Sequence, residues 1–456
     1  MSSIIKVDNI QNQSGDNIIK EDSNTITLGA SGDTVTLASG ASQSGFGRTG
    51  TVDWQTSIKT STFTAVNGEG YFVNTTGGAV TVNLPAGSVG AIVSIKDYAQ
   101  TFDTNNCTIS ANGSEKIENL TLDLVLDTEG IAVTLIYADA TRGWQAVNSN
   151  EITNIVKFVS ASGGTETTSG DFKIHTFTGP GTFTVSCAGN TGGSNLVDYM
   201  IVAGGGGGGG ASSAGGGGAG GFRLANSTCM SGPQTSPLAT PTALPVSVQD
   251  YPITVGGGGS GGPSSTPSVG ANGSNSVFST ITSAGGGFGA SFPGPGSAGP
   301  GGSGGGVGNT GTIGAGNTPP VSPPQGNNGG QGNNPAGGGG GGGASASGGE
   351  GPNPPGQAAG VGGAGSFVVQ TGFAGCNGTP GPVSGARYFA GGGGGRGGPA
   401  LGSKPGGVGG GGTGGCGSTC QTAGTTNTGG GGGGAGSGQA GKAGGSGIVI
   451  IRYKFQ

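Results

Sequence analysis

Charge is scarce in this chain. Asp, Glu, Lys and Arg make up 8% of its 456 residues, aromatics 5%, and histidine occurs once, at His175. Little is left from which to build a catalytic centre. Polysaccharide hydrolysis needs two converging carboxyl groups, and the nearest cluster, Asp123, Asp127 and Glu129, reads as a solvated face. No enzyme activity, cofactor or metal is expected. No apolar run approaches the roughly 18 residues of a membrane span, which argues against membrane insertion. Met1 to Gln13 lacks the basic start and apolar stretch of a secretory signal. The six cysteines (Cys107, Cys187, Cys229, Cys376, Cys416 and Cys420) are sparse. Cys416-Gly-Ser-Thr-Cys420 has the spacing of a small clip or half a metal site, but zinc would need two further ligands, and free or structural thiols are the favoured reading. No GxxxxGK[ST] loop occurs, since Gly441-Lys442 is followed by Ala443. A single Arg396-Gly-Gly without a basic cluster gives no footprint for nucleic acid.

Glycine fills the space these residues leave: 116 of 456 positions, mostly after Val202 and often in pure runs. The run Gly204–Gly210 follows the apolar stretch Val197–Val202, and the last glycines stop before Ile448-Val-Ile-Ile-Arg-Tyr453. Between Gly204 and Gly447 stand Arg223, Arg387, Arg396, Lys404 and Lys442 against Asp250 and Glu350, a surplus of three positive charges. The overall net charge of −5 therefore puts −8 on the remainder, chiefly the N-terminal part.

The pattern along the chain predicts an all-β protein. Residues 1–49 read as a slender stem for attachment, with Thr25-Ile-Thr-Leu-Gly echoed by Thr34-Val-Thr-Leu-Ala. Strands so small bury no core alone; three chains wound together would, with Ile26, Leu28, Val35 and Leu37 on a shared axis, as a homotrimer. Residues 50–150 carry the rhythm of a β-sandwich or prism. The expected strands are Gly70–Asn74, Ala79–Leu84, Ala91–Asp97, Cys107–Ala111, Leu120–Leu126 as a central strand, Ile131–Ala138 and Trp144–Asn148. Trp54 and Trp144 are expected in its core. A connector, 151–171, holds the one plausible short helix, at about Asn150–Ser160. The glycine-rich module, 172–456, opens on an expected hairpin, His175–Val185, that turns at Gly179-Pro-Gly181 with Phe177 and Phe183 on one face. His175 is expected on a strand edge, without a partner that would make it catalytic. Val197–Val202, Tyr251–Val255, Val277–Ile281 and Ile448–Phe455 supply further strands.

The glycine runs admit three physical readings. Collagen needs glycine at every third position, and Gly337–Gly343 and Gly429–Gly434 are uninterrupted. A flexible linker has no reason to return repeatedly to apolar phrases. Polyglycine II helices have about three residues per turn and no internal hydrogen bonds, so bare backbones can pack and bond to one another. Each bond contributes about 0.5–1.5 kcal/mol, against roughly 0.5–1 kcal/mol for ordering a glycine rather than an alanine. The expected fold is therefore polyglycine II helices framed and seeded by β-strands.

The phrases Thr176-Phe-Thr-Gly-Pro-Gly-Thr-Phe-Thr-Val185, Tyr199-Met-Ile-Val-Ala-Gly204, Ile253-Thr-Val-Gly256 and Gly444-Gly-Ser-Gly-Ile-Val-Ile-Ile-Arg-Tyr453 resemble the glycine-rich domain of phage tail fibres and adhesins. More loosely, Gly90–Asp97 and Arg142–Val147 resemble the stalk of marine phage tail fibres. The resemblance implies a structural virion protein. Its N-terminal region would join other tail proteins, and its distal loops would bind a host surface glycan or outer-membrane protein. Such a chain is made in the host cytoplasm without a signal peptide and carried in the virion. The alternatives are a virion appendage without receptor role, an ice-binding protein presenting Thr and Ser rows, and a depolymerase.

If glycine helices form the scaffold, specificity falls to loops that carry side chains. The richest insert runs from Ser366 to Ala390. There Phe373, Arg387, Tyr388 and Phe389 offer aromatic and guanidinium surfaces suited to recognition; the alternative is that Phe367, Val369 and Phe389 only anchor strands. Phe288 and Phe292 form a second candidate loop. Pro233–Pro245 and Asn317–Asn328 are proline-rich and read as exposed tips or spacers.

Overall fold

The computed structural model describes residues 9–11, 17–22, 25–28, 52–147, 157–190, 193–226, 236–265, 268–292, 296–309, 311–333, 337–351, 360–397, 402–416 and 420–456. It is nearly all β, in several sheets, and divides at Asn150/Glu151 into two units. No helix among the described residues is long and apolar enough to cross a membrane.

In the first unit, Asn9–Gln11, Asn17–Asp22 and Thr25–Leu28 pair as an antiparallel sheet. The expected echo at Thr34–Ala38 and the helix start at Asn150 lie outside the described residues. From Asp53 onward the chain alternates between two sheets. Asp53–Trp54, Glu69–Val73 and Ile92–Asp97 pair in parallel in one, and Phe63–Thr64, Val80–Asn83 and Cys107–Ser110 in parallel in the other. Each strand of one sheet thus serves as the crossover that parallel pairing requires, and no helix is needed. Antiparallel strands Leu124–Leu126, Ala132–Asp139 and Gly143–Ala146 finish the unit. Val73, Val82, Val93, Ile95, Ile109, Leu135 and Trp144 are fully buried between the sheets.

Two expectations for this unit need correction. The long central strand Leu120–Leu126 is a three-residue edge strand, Leu124–Leu126. Trp144 is in the core, its indole N–H donating to Glu115 Oε2 at 3.2 Å, but Trp54 is 43% exposed and rests on Phe72 on an outer face. An edge strand leaves that face uncovered. Asp123 and Glu129 are exposed and Asp127 half-buried, as on a solvated face. Cys107 is buried, and desolvation, with Asp97 adding, pushes its thiol up to about 12.

The second unit starts with a sandwich. Residues 157–169, expected in a helix and connector, instead include strands Val159–Ser162 and Thr165–Ser169, each entering a different sheet. The expected hairpin at Gly179-Pro-Gly181 is an arch. Phe172–Phe177 pairs with Thr165–Ser169 and Ile448–Lys454, whereas Gly181–Ala188 pairs with Val159–Ser162 and Gln249–Thr254 in the facing sheet. Phe177 and Phe183 still meet, because the arch sends both into the core between the sheets, with Tyr199, Tyr251, Phe278 and Tyr453. The apolar run Ile448–Ile451 is explained by burial on both faces. Val449, Ile451 and Tyr453 face the first core, and Ile448 and Ile450 face a second one with Met200, Val202, Phe222, Val368, Phe373 and Phe389.

His175 is not at an edge. It is buried on the second strand of a seven-stranded sheet, with Nδ1 2.7 Å from Gly163 O, Nε2 3.1 Å from the Tyr453 hydroxyl, and its ring stacked on Tyr453. Burial pulls its pKa below the ordinary 6.5, outweighing the bond to Gly163. Below about pH 6.5 the unfolded chain therefore binds a proton that the folded one resists. Stability is expected to fall as pH drops from 6.5 toward the lower folded value, by at most about 1.4 kcal/mol per pH unit for one proton. Thermal melts from pH 7.5 to 5 should show this fall, and a His175→Phe variant should melt with a shallower pH slope.

Beyond the sandwich lies the glycine lattice. The N–H groups of Gly204, Gly207 and Gly210 donate to Ser274, Ala271 and Ser268; those of Gly205 and Gly208 to Gly445 and Lys442; those of Gly206 and Gly209 to Gly218 and Gly215. Partner numbers fall by three as donor numbers rise by three, so these neighbours are antiparallel with three residues per turn. The carbonyls of the same run accept from Gly286 and Gly289, Gly259 and Gly262, and Gly432 and Ala435, all parallel. One helix thus has six bonded neighbours, the hexagonal packing of polyglycine II, and its backbone groups are satisfied without any side chain. A Cβ on Gly204, Gly205 or Gly206 would fall inside 3.0 Å of Gly257, Gly430 or Gly287 carbonyl oxygens respectively. That close approach is why these positions are glycine.

Candidate functional site

Strand-to-helix junctions define the two ends of the lattice. Gly204–Gly210 continues strand Leu196–Val202, and its neighbour Gly215–Gly221 returns into strand Phe222–Ala225. The turn Ala211–Ala214 therefore lies at the end far from the sheets. Parallel helices carry Pro263, Ser291–Phe292 and Gly436 to that same end, and Arg396 joins them, its N–H donating to Ala214 O. Side chains find room where the runs stop. The far end is where loops of varied sequence gather on a scaffold that has almost no side chains.

Four of the six candidate residues lie at the other end, on the sheets. Ser366–Val369 and Ala386–Phe389 pair as a small sheet whose Phe373 and Phe389 are buried in the second core. Tyr388 is 5% exposed and packs its ring, tilted, against Phe367. The Arg387 guanidinium is occupied by backbone, donating to Cys376 O, Asn377 O and Gly378 O at 2.6–2.8 Å. These four anchor an insert against the sheet and offer no aromatic surface to a ligand. The described part of Pro233–Pro245 also belongs here, since Ala239–Thr240 and Leu244–Pro245 pair with sheet strands. So does Asn317–Asn328: buried Gln325 accepts from Ala284 N–H, and its carbonyl accepts from Phe222 N–H.

Phe288 sits within the lattice, half-buried, with its ring over Gly299. Phe292 is at the far end and 37% exposed, its N–H donating to Ser212 O at 3.4 Å. Bonded to the same Ser212 is a residue set aside in the sequence as a lone Arg-Gly-Gly. Arg396 Nη1 donates to Ser212 Oγ at 3.2 Å and to Ser213 Oγ at 3.4 Å, and burial lowers its pKa below the ordinary 12.5. The sequence signal was there: Arg396 and Ser212-Ser213 stand directly behind, or one alanine beyond, an unbroken glycine run, where a lattice helix ends.

Cys416 and Cys420 also lie at this end, with sulfurs 2.8 Å apart and no disulfide between them. Among the described residues no group of three or more His, Cys, Asp or Glu is placed to hold a metal. A cavity of about 610 Å³ beside the sheet edge is lined by Thr165, Thr167, Thr176, Thr371 and Asn377 among others, and carries no charged residue.

The fold and its far-end surface define an all-β chain in which a β-sandwich supports a polyglycine lattice. Residues 176–454 match the family model described as a glycine-rich domain, more than half of the chain, and the chain belongs to that family. No curated protein matches it.

Proposed function

We propose that the chain is a structural, non-enzymatic virion protein of a tailed phage: a homotrimeric tail fibre. In this reading its N-terminal stem joins other tail proteins, and its glycine-rich domain attaches to a host surface glycan or outer-membrane protein. The observation that carries the reading is the asymmetry of the lattice. Its interior excludes side chains, while one end collects turns that differ in sequence from loop to loop. Such a scaffold tolerates changes in those turns without changes in its core, which suits a surface that must track a variable receptor.

The test uses the purified full-length chain. Sedimentation should give three times the mass of one chain, and fluorescently labelled protein should adsorb to some members of a panel of bacteria and compete with phage infection of those strains. A monomer that adsorbs to none of them would overturn the proposal.

A further inference from the structure

We propose that Arg396, with Ser212, Ser213 and Phe292, forms a binding site for the carboxylate or phosphate of an acidic saccharide on the far face of the lattice. The inference rests on the attachment reading for its biological setting but on separate observations for its chemistry.

A half-buried guanidinium ordinarily has an anionic partner, because taking a charge out of water costs free energy that its surroundings must offset. Arg396 has none among the described residues: its side-chain hydrogen bonds go to two serine hydroxyls, and its Nε is buried without an acceptor. Nor does the rest of the sequence offer one nearby. Between Asp250 and Gln456 the only acidic residue is Glu350, which is exposed on a different turn. Lys404, on the adjoining loop, is buried, with its side chain lying against Gly397. The net-negative chain thus places one guanidinium, without an anionic partner among the described residues, at the end where its loops converge.

The form of the site narrows the ligand. A planar guanidinium pairs best with carboxylate or phosphate oxygens, and Ser212 and Ser213 hold it in place. Phe292, 37% exposed and bonded through its N–H to Ser212 O, brings an aromatic side chain to the same end of the lattice. An oxyanion beside a stackable C–H face describes a uronate or a sugar phosphate better than a neutral glycan.

The full chain should be titrated with polygalacturonate, phosphomannan and neutral dextran at two salt concentrations. Binding to at least one of the acidic polymers, weakened by salt and absent for dextran, is expected; which polymer binds tells carboxylate from phosphate. Arg396→Gln and Phe292→Ala should each lose about tenfold or more in affinity, on the scale of one charge-assisted bond or one aromatic contact. Lys173→Gln, on the second strand of the seven-stranded sheet, should bind as the parent does. Unchanged binding by Arg396→Gln in a variant that melts like the parent, equal binding of dextran, or an equal loss in Lys173→Gln would each overturn the site. Cell adsorption separates the two ideas: adsorption that survives Arg396→Gln rejects this site and leaves the attachment reading standing. Polymer binding without adsorption to any cell does the reverse.

Discussion

Gly206→Ala is expected to destabilise the second unit by at least about 3 kcal/mol, while Gly257→Ala leaves it unchanged or slightly more stable. Both positions lie in glycine runs, and composition cannot tell them apart. Gly206 is buried, and a Cβ there would overlap the backbone carbonyls of Gly286 and Gly287. Overpacking a side-chain core costs about 1–3 kcal/mol because rotamers adjust. Here the obstacle is backbone that is itself bonded to further helices, so relief means breaking lattice bonds of about 0.5–1.5 kcal/mol each. Gly257 is exposed, has no left-handed φ, and a Cβ there meets nothing within 4 Å. Alanine at that position restricts the unfolded chain, a gain of about 0.4–1 kcal/mol. Thermal melting of both variants would decide: the Gly206 variant should lose on the order of 6 °C or more. Equal, small shifts in the two would mean that close helix packing does not hold the domain together.

Whether a residue was legible in the sequence depended on whether its role was local. Apolar runs marked Val197–Val202 and Ile448–Ile451, and uninterrupted glycine runs excluded collagen. Both follow from neighbouring residues alone. The arch at Gly179-Pro-Gly181 was read as a hairpin because turn chemistry is the same in either case. What separates them is a partner more than 250 residues away, strand Ile448–Lys454 against Phe172–Phe177. The candidate site failed for a related reason. Aromatic density drew attention to Phe373, Tyr388 and Phe389, but that density is what a small insert needs to bury itself on a sheet. Deciding which loops share an end of the lattice requires knowing helix directions, and glycine runs are identical read either way. Only the strand at each run's border fixes the direction.

The same long-range closure makes the second large effect. Asp198 and Arg452 are cross-strand partners on the central strands of the seven-stranded sheet, their side chains 2.7 Å apart and 3% and 5% exposed. Arg452 also donates to Asn226 Oδ1 and Gly372 O, and its guanidinium lies between the rings of Phe172 and Phe373 at 4.6 and 4.8 Å. Five separate parts of the chain are thereby joined at one cation: strand Phe172–Phe177, the strand that leads into the lattice, the residue after the strand that returns from it, the insert, and the closing strand. Asp198→Ala leaves the guanidinium buried without its counter-charge, and breaking such a pair from one side costs about 3–5 kcal/mol. Arg452→Ala strands the carboxylate in the same way and also removes the surface on which Phe373 rests. Each variant should therefore melt far below the parent or fail to accumulate in soluble form. Asp198→Leu combined with Arg452→Met should recover much of the loss, because an apolar pair of similar volume avoids the desolvation cost that either single variant exposes. A double variant no better than the singles would mean that the pair's hydrogen bonds to Asn226 and Gly372, rather than its charge balance, hold the closing strand in register. In that case Asn226→Ala alone should reproduce most of the defect.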